Sequence, residues 1–263
     1  MLYVNSSASQ ISQQVNNMVV LLPIGAIEQH GPHLSVSTDT DLVSAVAQEA
    51  EARCKNDILL CPTLPFGSSH HHLTLGGTLS ISAALYTQVL VDLVGSILDN
   101  GFRRIILLNG HGGNITPARQ ALSILSAKYD EVLNPNIAMA TYWELASDYF
   151  AGNSKMATPA LSHACEYETS LMLHLYPYKV FPESIERAKR PASNGYIPWE
   201  DDEPYKGVTM VKQTRYISSN GSSGEPQLGT AEKGEFLFNH AVDALVRFAA
   251  SFKTWPFSTD LTK

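Results

Sequence analysis

Carboxylates and imidazoles are concentrated near residue 30 of this 263-residue chain. Glu28, His30, His33 and Asp39 fall within twelve residues, beside a glycine and a proline that favour a turn. Carboxylate oxygen together with histidine nitrogen is a ligand set for Zn, Mn or Fe, and one aspartate can bridge two ions. The pattern predicts a metal site, and a solvated polar loop is the alternative.

A further histidine stands directly after an apolar run. His111 lies among glycines in the segment Asn109-Gly-His-Gly-Gly-Asn114. Because glycine lets the backbone approach a ligand closely, this loop is a suitable place for a fourth metal ligand. A phosphate-binding glycine loop is the alternative, but no lysine accompanies it and the G-x-G-x-x-G spacing is absent.

A third group, His163, Glu166 and Glu168, begins a predicted helix. The helix dipole favours carboxylates at this end without any function, which accounts for one of them. The set exceeds that need and can supply a fifth ligand and a general acid or base. Cys165 permits a rival, a cysteine nucleophile with His163 as its base.

Four motifs between residues 23 and 170 resemble those of the creatininase family, in the same order. They are Pro23-Ile-Gly-Ala-Ile-Glu28-Gln-His-Gly-Pro-His33 followed by Asp39, Gly67-Ser-Ser-x-x-His72 followed by Gly77-Thr78, Asn109-Gly-His-Gly-Gly-Asn114, and His163-Ala-Cys-Glu-Tyr-Glu-Thr-Ser170. The resemblance implies an α/β fold, a three-layer α/β/α sandwich with a mostly parallel central sheet. It also implies a homo-oligomer, often a hexamer, and two divalent metal ions near a bridging water.

The resemblance assigns roles residue by residue. Glu28 and His111 would hold one ion, His30 the other, and Asp39 would bridge them. Glu168 is the expected fifth ligand, with Glu166 as the competing candidate. His163, as the proton shuttle, and Glu166 are the expected catalytic residues. The expected substrate-binding residues are Ser69, His72, Gly112 and Trp143. Trp143 is included from the sequence itself, because Tyr142, Trp143 and Tyr149 either wall a planar substrate or are core aromatics near a strand end. His70 and His71 flank His72 and form either an accessory metal site or part of a solvated loop.

Two departures from the family pattern bear on the substrate. Creatininases that act on creatinine supply a metal-binding glutamate where this chain has Gly113, and a tryptophan where it has Met156 to Ala160. The expected reaction is therefore hydrolysis of a non-peptide C–N bond in another small cyclic amide or formamide, by a dimetal-bound hydroxide. Ring opening of a cyclic keto-sugar and a non-catalytic metal-binding homologue are the alternatives.

Alternating strands and helices would position these loops. Apolar runs predict strands over 18–22, 57–61, 103–108 and 136–142, and periodicity predicts helices over 41–54, 166–175 and 229–252. Another helix runs from Ser82 to Gly101 with Leu85, Val89, Leu93 and Ile97 on its face, and one opens at Thr116-Pro117. Residues 177–229 are rich in Pro, Gly, Ser and charged residues and lack a lasting periodicity, a composition that predicts loops, a short hairpin or a partner contact. Because ligands bind at the carboxyl ends of parallel strands, we expect one site in a single domain spanning 1–263.

The composition of the chain limits the classes of partner and the compartment that we expect. A net charge of -7 and the absence of a basic run argue against a nucleic-acid partner. The resemblance to the family implies a small-molecule substrate. The apolar stretches are too short to span a membrane. Three cysteines without C-x-x-C spacing indicate a reducing, cytoplasmic compartment.

Overall fold

Four parallel strands form the central sheet of the computed structural model, which describes residues 1–54, 56–190, 211–259 and 261. In chain order they are β1 (Val19–Ile24), β2 (Ile58–Leu60), β3 (Arg104–Asn109) and β4 (Asn136–Thr141). Their spatial order is β2-β1-β3-β4. β1 and β2 are apolar and buried throughout, as expected of parallel strands that are covered on both faces.

Helices cover both faces. They are α1 (Ala8–Ser12), α2 (Thr38–Arg53), α3 (Ala83–Asp99), α4 (Ile115–Leu133), α5 (Tyr142–Leu145), α6 (Ser147–Phe150), α7 (Glu166–Leu175) and α8 (Ala231–Thr254). Short 3-10 helices occur at Tyr3–Asn5, His70–Leu75, Gly112–Asn114, Pro177–Lys179, Pro182–Ser184, Thr214–Tyr216 and Pro226–Leu228. Among the described helices, none combines the length and the apolar character needed to cross a bilayer.

The side chains of β1 alternate between two hydrophobic cores. Val19 and Leu21 pack in the core formed with α2, α7 and α8, whereas Val20 and Leu22 pack in the core formed with α3 and α4. Successive strand residues point to opposite faces, so a fully apolar strand supplies both cores at once. This arrangement confirms the predicted three-layer α/β/α sandwich.

Two details of the predicted helices were wrong. Leu85 and Leu93 are 57% and 41% exposed, and the buried face of α3 carries Tyr86, Leu90 and Val94 instead. Because α3 is apolar almost all round, periodicity does not select a face. The helix predicted to open at Thr116-Pro117 begins at Ile115, a shift that leaves the proline within the first turn, where it is tolerated.

Asp39 lies on helix α2 and not in the loop before it. The predicted helix starts at residue 41, but α2 starts at Thr38, so Asp39 lies on its first turn rather than in the preceding loop. A carboxylate is favoured at this end of a helix. Asp39 is therefore held by a rigid element.

The segment predicted to contain loops or a short hairpin is only partly described. Residues 177–190 and 211–229 contain the four 3-10 helices given above and, within those two stretches, no strand of the sheet. The part of the prediction that concerns residues 191–210 lies outside the described residues.

Candidate active site

Loops from the carboxyl ends of three strands meet at one edge of the sheet, as the parallel topology predicts. β1 leads to Glu28 and His30, the chain after β2 to the 3-10 helix at His70–Leu75, and β3 to His111. The first turns of α2 and α7 face the same place. The clustered side chains are Glu28, His30, Asp39, His71, His72, His111, His163 and Glu168.

Gly110 allows α2 to approach the end of β3. A Cβ atom at this position would lie 2.6 Å from the Cβ of Val43 and 3.0 Å from the carbonyl oxygen of Asp39. Any larger residue would therefore push the first turn of α2 away from the sheet. The glycine next to His111 thus allows His111 and Asp39 to lie close together.

Asp39 lies between two histidines. Its Oδ1 is 3.2 Å from Nε2 of His30, and its Oδ2 is 3.0 Å from Nδ1 of His111. Glu28 Oε1 is 3.3 Å from the same His111 atom, and Glu168 Oε1 is 3.8 Å from the same His30 atom. Within the described chain, the ion-pair partners of these three buried carboxylates are all histidines. One carboxylate therefore joins two neighbouring clusters.

Hydrogen bonds set which nitrogen of each histidine is free. His30 Nδ1 lies 3.2 Å from the carbonyl oxygen of Glu28, and His111 Nε2 lies 3.1 Å from Oγ of Ser69. Each of these ring nitrogens donates to an oxygen acceptor. The opposite nitrogen, which faces the carboxylates, therefore keeps its lone pair in the neutral ring. Histidines that bind metals are oriented in this way.

His163 and His72 are oriented by a residue that the sequence analysis did not single out. The Nε2 atom of His163 donates to the carbonyl oxygen of Gln29 over 2.8 Å. The side-chain amide of Gln29 donates to Nδ1 of His72 over 2.6 Å, and Thr214 lies 3.1 Å from that nitrogen. His163 thus presents Nδ1 to the cluster as an acceptor. His72 carries its proton on Nε2, 3.6 Å from Glu28.

The donor set fits divalent cations. Glu28 Oε2, His30 Nε2 and Asp39 Oδ2 are buried and make no hydrogen bond of good geometry in the described chain, although His30 Nε2 and Asp39 Oδ2 lie in the ion pairs given above. Buried polar atoms are normally paired, so three such atoms in one cluster point to a ligand. Glu28, His30 and Asp39 form one group with metal-ligand spacing, and His30, His163 and Glu168 form another. Carboxylate oxygen and imidazole nitrogen suit Zn, Mn and Fe.

Without a cation, the buried carboxylates raise the pKa of two of the histidines. Burial alone would lower the pKa of His111, but the charges of Glu28 and Asp39 raise it to about 10. Burial would likewise lower the pKa of His30, which the charges of Asp39 and Glu168 raise well above its usual range. Burial and the charge of His30 lower the pKa of His163, so this ring is neutral.

Glu166 is not brought to the cluster. Its carboxylate accepts hydrogen bonds from the backbone of Ala157 and Thr158 and pairs with Lys233 at 2.5 Å. Glu168 instead keeps Oε1 in the cluster, while its Oε2 accepts from the backbone of Ala164. The geometry therefore places Glu168 among the clustered groups and Glu166 in a separate buried network.

Three of the four residues expected to bind substrate line the pocket, and the fourth does not. His72, Gly112 and Trp143 line a pocket of about 220 Å³ that opens onto the carboxylates. Ser69 is fully buried, does not line this pocket, and holds His111. Burial raises the pKa of the Cys165 thiol to about 12, which argues against a thiolate nucleophile because the thiolate is the reactive form.

Comparison with known proteins decides the family. The sequence profile of the creatininase family, described as creatinine amidohydrolase, matches residues 5–249. The chain belongs to the creatininase family. It is accordingly a metal-dependent amidohydrolase, as the motifs predicted.

Individual creatininase-family relatives span nearly all of the chain. The mycofactocin precursor peptide peptidase of Mycobacterium tuberculosis is 30% identical over 246 residues, covering 90% of this chain and 86% of the relative. The creatinine amidohydrolase of Pseudomonas putida is 29% identical over 238 residues, covering 86% of each. A solved structure described as a manganese form of creatininase has a TM-score of 0.79 at 22% identity, covering 95% of this chain and 97% of the other. This last likeness shows the shared fold.

Proposed function

We propose that this chain hydrolyses a non-peptide C–N bond in a small cyclic amide or formamide, at a site that holds two divalent ions. The observation that carries the proposal is the position of Asp39. One of its oxygens lies 3.2 Å from His30 and the other lies 3.0 Å from His111. A carboxylate placed in this way suits a ligand shared by two neighbouring ions.

The donors fall into two sets on either side of Asp39. Glu28 and His111 would hold one ion with Asp39, and His30 and Glu168 would hold the other with it. Divalent ions bound there supply an acidified water near neutral pH and polarise the carbonyl group of the substrate. Zn, Mn and Fe all accept this mixture of nitrogen and oxygen donors.

In the proposed reaction, His163 carries the proton. Its Nε2 is occupied by the carbonyl oxygen of Gln29, so Nδ1 is the atom free to accept a proton. That atom lies 3.6 Å from Oε1 of Glu28, and both residues line the pocket. Burial keeps the ring neutral, which is the form needed to take up a proton from water and pass it to the departing nitrogen.

The size of the pocket favours a small substrate. A volume of about 220 Å³ lies below the range of roughly 300–1,000 Å³ that is usual for sites binding drug-sized ligands. Trp143 and Leu161 add apolar side chains to the pocket lining, which otherwise carries the charged groups. A compact ring or a formyl group bearing one amide nitrogen suits this combination.

A second candidate is cleavage of a short peptide. It is favoured by the 30% identity to a peptide peptidase over 90% of this chain. The chemistry at the carbonyl carbon would be the same, because a peptide bond is also an amide. The two candidates differ in the length of substrate that must enter the pocket.

Metal stoichiometry and a substrate panel test the proposal together. The protein would be stripped with a chelator and reloaded with Zn²⁺ or Mn²⁺, and its ions per chain counted by elemental analysis. It would then be offered formamides, cyclic amides, short peptides and cyclic ketones. We expect about two ions per chain and hydrolysis of a small amide. Failure to bind ions after reloading, or turnover of cyclic ketones alone, would overturn the proposal.

A further inference from the structure

The three consecutive histidines of the 3-10 helix at His70–Leu75 have different surroundings. His70 is hydrogen-bonded through Nδ1 to Oγ of Ser80 at 2.7 Å, and His72 through Nδ1 to Gln29 at 2.6 Å. The ring nitrogens of His71 make no hydrogen bond to any other described residue. His71 is therefore the member of the three whose donor atoms are uncommitted.

His71 faces the proposed metal site. It lines the pocket, and its ligand atom lies within 4.8 Å of those of Glu28 and His111. Its ring lies nearly parallel to the ring of His111, with 5.8 Å between the centroids and 10° between the planes. The nitrogen of His71 can thus reach the space that Glu28 and His111 share.

Gly113 keeps this space free for His71. A Cβ atom there would lie 2.2 Å from the carbonyl oxygen of Ser68, 2.4 Å from Nε2 of His111 and 3.0 Å from Cε1 of His71. Contacts this short exclude a side chain at position 113 unless the loop moves. No donor can therefore reach the site from position 113 in this conformation.

We propose that His71 is a ligand of the ion held by Glu28 and His111. Those two residues and Asp39 provide three donors, and His71 brings the number to four, which is the usual coordination of zinc by nitrogen and oxygen ligands. The inference rests on the proposed function, because it requires ions at this site. It adds a ligand that comes from the loop after β2, so three strand ends supply donors rather than two.

Two substitutions separate ligation from packing. His71→Ala removes the ring, and His71→Phe keeps a ring that can lie against His111 but has no nitrogen donor. His70→Ala is the matched control, because His70 is bonded to Ser80 away from the cluster. Each variant would be stripped and titrated with Zn²⁺ by calorimetry, and loaded with Co²⁺ to record its visible absorption spectrum. Circular dichroism of the metal-free proteins checks that they fold.

We expect both His71 variants to bind one of two ions at least tenfold more weakly, and to lose the visible bands of one Co²⁺ ion. His70→Ala should match the parent. Parent-like affinity and spectrum in His71→Phe would overturn ligation by His71, even if His71→Ala were impaired, because packing would then explain the loss. If the parent itself binds no ion, the proposed function fails as well.

Discussion

The Nδ1 atom of His111 lies 3.0 Å from Oδ2 of Asp39, although the two residues enter the site from different elements. His111 follows β3, whereas Asp39 lies on the first turn of α2. Gly110 makes this approach possible because it has no side chain to hold α2 away from the sheet. A rigid carboxylate therefore reaches the imidazoles on both sides.

Replacing Asp39 by asparagine should reduce binding of both ions and lower kcat/KM at least 10³-fold, because a neutral amide cannot bridge two cations. Elemental analysis and steady-state kinetics on one preparation measure the two effects. Asp41→Asn is the control, since this carboxylate on the same turn pairs with Lys179 and Ser37 instead. An inert Asp39→Asn that still held two ions would contradict the bridging role.

Removing the imidazole of His163 should leave the ions bound and slow turnover. We expect kcat to fall about 10²- to 10⁴-fold in His163→Ala, the usual effect of losing a general acid or base. Cys165→Ala, two residues away, should keep parent-like kcat because its thiol stays protonated. An inactive but fully metallated Cys165→Ala would instead revive the cysteine nucleophile.

Glu166 and Glu168 should respond in opposite ways to substitution by glutamine. Glu166→Gln places an amide among the backbone donors of Ala157 and Thr158 and loses the pair with Lys233. We expect it to lower the free energy of unfolding by about 1–3 kcal/mol while the metal content stays unchanged. Urea unfolding and elemental analysis measure both quantities.

Glu168→Gln should instead lower the metal content, with the greater effect on one of the two ions. Its carboxylate oxygen faces His30, so the variant weakens the ion on that side. Loss of metal in Glu166→Gln, together with full metal content in Glu168→Gln, would reverse the assignment of the fifth ligand.

Ser69→Ala tests the orientation of His111. The hydroxyl lies 3.1 Å from Nε2 of His111, and without it the ring loses one of the acceptors that fix its tautomer. Loss of such a partner typically costs 10- to 100-fold in metal affinity, and we expect a loss within that range for the ion on the Glu28 side. Zinc titration by calorimetry measures it, with the exposed Ser123→Ala as control. The carbonyl oxygen of Ser68 lies 3.3 Å from the same nitrogen, and an unchanged affinity would show that this acceptor alone orients the ring.

Metal uptake should release protons. In the metal-free protein the pKa of His111 is raised to about 10 and that of His30 well above its usual range, so both rings are protonated near pH 7. A cation binds only the deprotonated rings, so about two protons should leave at pH 7, and the apparent affinity should rise between pH 6 and 8. Calorimetry in two buffers of different ionisation enthalpy counts the protons. Uptake without proton release would contradict the raised pKa values.

The sequence was most informative where one strand end carried several chemical groups. The apolar run of β3 followed by His111 predicted both a buried strand and a side chain at the sheet edge, because parallel strands open their sites there. The other predicted strands and the helix at Glu166–Leu175 were also confirmed. Continuous apolar runs bounded by polar loops indicated the strands, and apolar residues at helical spacing indicated the helix.

Contacts between distant segments could not be predicted. Gln29 meets His72 and Thr214 meets the same ring, but the first pair is 43 residues apart and the second 142. Adjacent residues can also face in different directions, and spacing alone did not separate Glu166 from Glu168. The cytoplasmic location, the homo-oligomer and the roles of the clustered residues stay predictions.

The crowding at Gly113 limits which substitutions could change the substrate specificity of this enzyme. A glutamate at this position, where the sequence departs from the pattern expected of creatinine-hydrolysing members, would place its Cβ 2.2 Å from the carbonyl oxygen of Ser68. The loop carrying Ser68 and His71 must be remodelled before that carboxylate is tolerated. In directed evolution the two changes are therefore epistatic: Gly113→Glu should be deleterious alone and acceptable only in a background with an altered 68–72 loop.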